Sequence, residues 1–481
     1  MLAYLIKKFS DGVIAGIVTS IGIFLVLTVI YNFMAEGDRR KKQLYSLAYF
    51  DSVTAIANRN VIMNRVRRLT SNESTIKKRF TLVFLDMDNF TSVNDTAGHL
   101  IGDLLLQKIA DRIKGKIHKD DLFGRTDGDE FAIIIQRDLS KEEILNYLND
   151  IRRTISDIFY IEDKEFSLTA SFGVAIFPDD GSTASDILKH ADISMQHAKK
   201  NGKNTISFFS NEIKEKLLTR MKLESALKKA ISNQELYLVY QPQYYSNKNE
   251  IRGFEALLRW NSKELGSVSP GIFIPIAEEN SSIIEIGQWV LNEAMSQFKN
   301  NILKRNENFK LSINISPVQL EDNMFISKVE KALIDNDFNP KNLEFEITES
   351  AFLSSEKSVE RIINYLKSIG ITIALDDFGT GYSALSFLQY NHMNILKIDK
   401  AFIDKILVAD PNKSLVELII SMAHKLGMEV VAEGVEEKKQ VEYLITHNCD
   451  YFQGYLFARP LILDQVLDLL DNKNKFQVED Y

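Results

Sequence analysis

A single cysteine, Cys449, stands in a chain of 481 residues. A disulfide framework and a thiolate zinc site are thereby excluded within one chain, and a reducing compartment fits. Positive charge is not in surplus. The 58 lysines and arginines are outnumbered by 66 acids, giving a net charge of -8. This argues against a binder of nucleic-acid polymers, although a local basic pocket could still hold one anionic ligand. The chain shows no internal repeat and no low-complexity tract, so it is read as ordinary globular sequence.

The N-terminal stretch departs from the rest. Gly12 to Met34 carries no charge and is rich in Ile, Val and Leu. At roughly 1.5 Å per residue, a helix of that length can cross a hydrocarbon core of ~30 Å. A cleaved signal peptide is the rival reading, but the stretch is long for one and no clear small-x-small site follows it. Lys7 and Lys8 precede the stretch, and Arg39, Arg40, Lys41 and Lys42 follow it. The heavier basic flank places the C-terminal side in the cytoplasm. We therefore expect a single-pass anchor over residues 1–35 and a basic juxtamembrane linker over 36–50.

Beyond the anchor, an α/β pattern fills the chain. Eight strand-like runs between Tyr237 and Tyr455 each end in a polar or charged residue: Tyr237–Gln241, Gly253–Arg259, Leu311–Asn314, Leu343–Glu349, Ile371–Asp377, Ile395–Asp399, Val430–Glu436 and Tyr451–Tyr455. Most gaps between them can hold a crossover helix, which suggests a β/α barrel. In a barrel the carboxyl ends of the strands converge on one face, and that face carries the chemistry. Glu255, Asn314, Glu346, Asp376 and Asp377 would meet there. One strand-end acid is usually a cap or a surface charge, but packed acids repel, so a cation is their natural counter-charge. With no His or Cys in the set, magnesium or manganese is favoured over zinc. The adjacent pair Asp376-Asp377 could bridge two ions. Lys397 could orient a water and Glu433 could take its proton; a structural salt bridge is the alternative for that pair. Arg259 shares a strand face with Leu257 and is suited to a phosphate. The run Asp377-Phe-Gly-Thr-Gly-Tyr-Ser383 could be a metal-positioning loop or a plain tight turn.

Glu255-Ala-Leu257 with Arg259 resembles the signature of the EAL domain. Asn314-Ile-Ser316, Glu346-Ile-Thr-Glu349, Asp376-Asp377-Phe-Gly, Lys397-Ile-Asp399, Glu433-Gly-Val-Glu436, Gln453-Gly-Tyr455 and Tyr240-Gln241-Pro242 are similar to its further motifs. The resemblance covers roughly Arg220 to Leu470. It implies a modified (β/α)8 TIM barrel over 210–475, whose first strand runs against the others. It implies hydrolysis of cyclic di-GMP to linear pGpG with two magnesium or manganese ions, in a bacterium. It implies metal contacts from Glu255, Asn314, Glu346, Asp376 and Asp377, and action on the nucleophilic water by Lys397 and Glu433. Glu349 would brace the Asp-Asp-Phe-Gly loop; Gln241, Leu257, Arg259 and Gln453 would help place substrate or solvent.

A second α/β unit spans 51–209. The run Thr126-Asp-Gly-Asp-Glu-Phe131 precedes an apolar strand, and its Asp-Gly pair fits a tight hairpin turn. Asp86 ends an earlier strand, so it could join Asp129 or Glu130 at one metal. A polar hairpin tip with an unrelated acid is the alternative. Together with Asp86-Met-Asp-Asn-Phe90, Asn94-Asp-Thr-Ala-Gly98, Gly102-Asp103, Ala191-Asp192 and Lys199-Lys-Asn-Gly-Lys203, this run resembles the GGDEF domain. The resemblance implies a cyclase-like α/β palm, with Asn94 and Asp103 reading guanine and Lys199 and Lys203 near phosphates. Three positions depart from the pattern. Asp127 replaces the first glycine of the signature, Thr91 replaces a lysine, and His118 replaces the arginine of the product-inhibition motif, although Asp121 remains. A degenerate, GTP-binding regulatory domain with magnesium is therefore expected, and a homodimer is the expected assembly. The charged stretch Asn211 to Ile231 reads as a helix connecting the two units.

Overall fold

The computed structural model describes residues 44–71, 79–248, 250–349, 351, 356–378, 393–407 and 413–472, with isolated positions 28, 31–34, 36 and 41. The expected membrane span lies outside the described residues except for 28 and 31–34. Among the described residues no helix is long and apolar enough to cross a membrane. The chain divides into two compact units, Met1–Thr219 and Arg220–Tyr481.

The first unit is built on a five-stranded sheet. Its strands are β1 (Phe80–Met87), β2 (Leu122–Asp127), β3 (Glu130–Ile135), β6 (Ala170–Phe177) and β7 (Ile206–Phe208), in the order β2-β3-β1-β6-β7. A small hairpin, β4 (Phe159–Ile161) with β5 (Lys164–Phe166), lies apart from it. Every residue of β1 and β6 is buried. Both strands read as continuous apolar runs because side chains cover both sheet faces. Val83, Leu85 and Ile133 pack with Ile109 and Ile151 on one face. Leu82, Phe84 and Ile134 pack with Ile62, Val66 and Ile187 on the other. β2 and β3 form the expected hairpin, closing at Asp127 opposite Glu130 with Gly128 at φ +33°. A helix runs over Ala184–Lys200. Thr183 and Asp186 cap it reciprocally, which satisfies its first free N–H groups.

The second unit is a closed barrel. Its eight strands are β8 (Leu236–Tyr245), β9 (Ile251–Ser262), β11 (Lys310–Ile315), β12 (Leu343–Thr348), β13 (Thr372–Phe378), β14 (Ile395–Ile398), β15 (Glu429–Ala432) and β16 (Tyr451–Phe452). β10 (Gly266–Val268) extends β9 as a short hairpin, which the sequence reading did not include. From β9 to β16 neighbouring barrel strands are parallel. β8 is antiparallel to both β9 and β16 and closes the ring. The reversed first strand is thus as expected. Four predicted strands end early, β12 and β14 by one residue, β15 at Ala432 and β16 at Phe452, so Glu433 and Gln453 stand just past the ladder.

The largest fully buried side chains among the described residues are aromatic, with one exception, Lys397. Phe254, Phe298, Phe309 and Phe345 fill the space between barrel and helices. Inside the barrel, Ala374, Ile395, Val431 and Tyr451 form a small apolar cluster. Two residues further along each of these strands stand Asp376, Lys397, Glu433 and Gln453. Period-two geometry puts each on the same inward face, one layer nearer the carboxyl ends.

Candidate active site

Local structure at each strand end fixes the polar layer. Ser316 caps the short helix Pro317–Leu320, accepting from Val318 N, and its hydroxyl donates to Glu278 Oε1 at 2.6 Å. It thereby holds the strand end that carries Asn314. Asp399 caps the helix Lys400–Ile403 and accepts from Ala401 N at 2.8 Å, holding the end that carries Lys397. Gly434 has φ +65°, and the Lys400 side chain lies where a Cβ would be. Lys400 pairs with Glu436 at 2.9 Å. A Cβ on Gly454 would stand 2.1 Å from Val435 O, so only glycine lets these two backbones approach. Several motif positions therefore shape the site without entering it.

Lys397 is the centre. Its Nζ lies 2.6 Å from Glu346 Oε2, 2.6 Å from Glu433 Oε1, 3.4 Å from Asp376 Oδ2 and 3.9 Å from Glu255 Oε2. Burial opposes the charge on Lys397, but Asp376, Glu255, Glu346 and Glu433 outweigh it and hold its pKa well above the usual lysine value. Four carboxylates around one ammonium leave an excess of negative charge, and the acids divide unequally. Burial and the neighbouring Glu255 push Glu346 well up. Burial pushes Glu433 up to about 8, against the pull of Lys397. Burial would raise Glu255 as well, but Lys397, Gln453 and Asn314 reverse the shift and hold it below the ordinary glutamate value. Asn314 Nδ2 donates to Glu255 Oε1 at 2.6 Å, and Gln453 Nε2 donates to Oε2 at 2.5 Å.

The remaining expected residues take up positions around this centre. Gln241, paired with Glu255 across the ladder, accepts from Gln453 Nε2 at 3.2 Å and donates to Ala458 O. Leu257 and Arg259 follow Glu255 on its strand face and are half-buried; Arg259 Nη1 donates to Leu258 O at 2.8 Å. Glu349 is buried one residue past β12. The Asp377 side chain and loop residues 379–383 lie outside the described residues.

Among the described residues no three acids, histidines or cysteines stand ready to hold a metal ion. The ammonium of Lys397 sits at the point the carboxylates share. The donor set nevertheless fits hard cations: it is all oxygen, its negative charge is only partly neutralised, and Glu346 Oε1 is buried without a hydrogen-bond partner.

In the first unit, a cavity of about 620 Å³ is lined by Asp86, Asn89, Thr91, Asp129, Lys199 and Lys203, among others. Asp86 faces Glu130 across the β1–β3 ladder and pairs with Lys199 at 2.6 Å. Burial raises both acids above their ordinary values. Lys203 Nζ donates to Asn89 Oδ1 at 2.7 Å. Glu130 accepts from Thr126 Oγ1 at 2.8 Å. Asn94 is half-buried, its amide oxygen against Gly102, and Asp103 is exposed; neither lines the cavity. Sequence reasoning gave Asp88 no role, and the structure gives it a structural one: it accepts from Thr169, Ser171 and the backbone of Asn204. Asp121 is equally occupied, in a 2.7 Å ion pair with Arg137.

A family model described as EAL domain matches residues 224–460, and one described as diguanylate cyclase, GGDEF domain, matches residues 48–205. The chain is 33% identical over 429 residues to the bifunctional diguanylate cyclase/cyclic di-GMP phosphodiesterase MucR of Pseudomonas aeruginosa, covering 89% of this chain and 62% of that protein. It is 32% identical over 428 residues to the cyclic di-GMP phosphodiesterase PdeR of Escherichia coli, covering 89% and 64%. The chain thus spans under two thirds of the length of these curated relatives. Among solved structures, the EAL enzyme Bd1971 in its cAMP and cyclic-di-GMP bound form matches with a TM-score of 0.50 and 31% identity, over 65% of this chain and 92% of that one.

Proposed function

This chain belongs to the tandem GGDEF–EAL family, and from that premise we propose that its barrel is a cyclic di-GMP phosphodiesterase producing linear pGpG. The observation that carries the reading is the ring of Glu255, Glu346, Asp376 and Glu433 around Lys397 at the carboxyl ends of the strands. Glu255, Asn314, Glu346, Asp376 and Asp377 would hold two magnesium or manganese ions. Bound there, the ions would polarise the phosphodiester and supply a water of lowered pKa. Glu433, whose carboxylate lies 2.6 Å from Lys397 Nζ, would take the proton of that water. Lys397, held between Glu346 and Glu433, would orient the nucleophilic water or offset developing negative charge. Gln241, Leu257, Arg259 and Gln453 would bound the substrate, and Glu349 would brace the loop after Asp377.

The GGDEF unit is read as a GTP-binding regulator with little cyclase activity. Lys199 and Lys203 face the cavity, and Asp86 and Asp129 offer metal contacts there. Asp127 weakens the phosphate side: its carboxylate takes the Gly128 N–H, at 3.0 Å, that a phosphate could otherwise use. Anchoring by residues 1–35 in the inner membrane, cytoplasmic catalytic units and a homodimer complete the proposal. One preparation of the full chain tests it. Cyclic di-GMP should be cleaved, Asp376→Asn should abolish cleavage, and GTP should bind without efficient conversion. Rapid synthesis of cyclic di-GMP from GTP would favour the bifunctional alternative. Near-wild-type turnover by Asp376→Asn would remove the two-metal assignment.

A further inference from the structure

One layer below the acids, the barrel holds polar side chains that belong to no motif. Gln243 on β8, Ser312 on β11 and Glu344 on β12 each lie two residues from an upper-layer residue and share its inward face. Arg252 breaks that period. It precedes Glu255 by three, so a regular strand would turn it to the opposite face. The β8–β9 ladder shifts register at this point: Gln243 faces Gly253, and Tyr244 faces Ile251. Arg252 is the extra residue of a β-bulge, and the bulge turns it inward.

Turned inward, Arg252 starts a chain of hydrogen bonds that ends on Glu255. Its Nη2 donates to Glu344 Oε2 and its Nη1 donates to Gln243 Oε1 at 2.6 Å. Gln243 Nε2 donates to Gln453 Oε1 at 3.0 Å. Gln453 Nε2 donates to Glu255 Oε2 at 2.5 Å. Ser312 Oγ satisfies the other oxygen of Glu344 at 3.0 Å. All of these side chains are buried.

The direction of the chain is set at the arginine end. A glutamine amide can offer oxygen or NH2 to either neighbour, and its shape does not choose between them. A guanidinium only donates. Gln243 must therefore turn its oxygen to Arg252 and its NH2 to Gln453. Gln453 must in turn face Glu255 with its NH2. The reverse arrangement would press an amide oxygen against a carboxylate.

We propose that Arg252 and Gln243 are positioning residues for the cation site at the barrel mouth. They fix the amide of Gln453, and through it the orientation in which Glu255 meets the ion. The inference rests on the metal assignment made above and on no step of hydrolysis. Outer-shell partners of this kind are worth roughly 10–100-fold in metal affinity.

The test is Mn2+ binding to the full chain in detergent without substrate, read from the electron paramagnetic resonance signal of free Mn2+, with melting curves alongside. Gln243→Met keeps the volume and removes both hydrogen bonds; its Mn2+ affinity should fall about 10-fold or more. Arg252→Lys keeps a donor-only end and should stay within about threefold of the parent. A structural role alone would lower the melting temperature and leave Mn2+ affinity unchanged. A folded Gln243→Met chain with parental affinity overturns the proposal. Should that variant not fold, Gln243→Glu replaces it, since Arg252 can pair with the new carboxylate. Its affinity should also fall, although added negative charge by itself draws cations, and parental or higher affinity overturns the proposal. A parent whose Mn2+ affinity is untouched by Glu255→Ala also overturns it. Parental Mn2+ binding without cleavage of cyclic di-GMP would instead overturn the phosphodiesterase reading alone.

Discussion

Lys397 is a buried lysine with more counter-charge than it can neutralise, and two predictions follow from its surroundings. Removing it should leave four clustered carboxylates uncompensated. Breaking a buried charge set by deleting one partner costs about 3–5 kcal/mol. Lys397→Met should therefore lower the stability of the metal-free chain by that order, and Mg2+ or Mn2+ should restore part of it. Thermal unfolding with and without the ion reads both effects; an unchanged melting temperature would remove Lys397 as the keystone of the layer. The second prediction concerns pH. Burial pushes the Glu433 carboxyl up to about 8 in the metal-free folded chain, against an ordinary value of 4.5. The folded state thus holds a proton that the unfolded state releases at lower pH. Its contribution is present below the ordinary value and is lost as pH rises through about 8. The metal-free barrel should lose stability between about pH 5 and pH 8. Glu433→Gln should flatten that decline and melt several degrees higher at pH 8, at roughly 2–4 °C per kcal/mol. Parallel pH profiles for parent and variant would contradict the assignment.

At the scale of elements, the barrel was legible because each strand is a short apolar run stopped by a polar residue. All eight predicted runs became strands, and Glu255, Glu346, Asp376, Lys397 and Glu433, from near their ends, share one layer. The GGDEF unit was legible through its largely apolar central strands and its Asp-Gly hairpin. The lower polar layer was not legible. Arg252, Gln243 and Glu344 carry no motif in the sequence, because burial of a charged pair depends on partners far along the chain. The bulge at Arg252 reverses the face that period-two counting assigns, and Gly253 beside it is the local sign of it. The roles of Ser316, Asp399 and Gly454 were also hidden inside motifs, since capping and close backbone approach do not differ in sequence from chemistry. Gly454 yields a test at this scale. Gly454→Ala places a methyl against Val435 O and should displace Gln453. Overpacking of this kind costs typically ~1–3 kcal/mol, and cleavage should fall with it. Parental melting temperature and parental turnover together would show that the backbones can separate freely. In the first unit, Asp127→Gly should free the Gly128 N–H and tighten GTP binding, as measured by calorimetry at low salt. Unchanged affinity would mean that the hairpin tip does not meet the phosphates.

For the whole molecule, the proposal joins a catalytic barrel to a nucleotide-binding regulator on a membrane anchor. Deleting residues before Glu36 should release a soluble chain that still cleaves cyclic di-GMP, because all the proposed chemistry lies after the apolar stretch. Recovery of the full chain in the soluble fraction without detergent would contradict the anchor. The helix Asn211–Leu227 crosses the division between the two units. GTP can change turnover only by binding the more and less active arrangements unequally, and coupling of ~1–3 kcal/mol is ordinary. Turnover measured with and without GTP, beside direct GTP binding, reads that coupling; binding with no change in rate would leave the unit a scaffold. We take the ring around Lys397 to be a metal-dependent hydrolytic site and not a silent receptor for the dinucleotide. Its most direct test is to incubate the purified full chain with cyclic di-GMP and follow pGpG by chromatography, with Mg2+ or Mn2+ and then with excess chelator. Either ion should yield pGpG, and none should form with chelator. Tight binding of cyclic di-GMP with no pGpG under any ion, or cleavage that chelator leaves untouched, would contradict it.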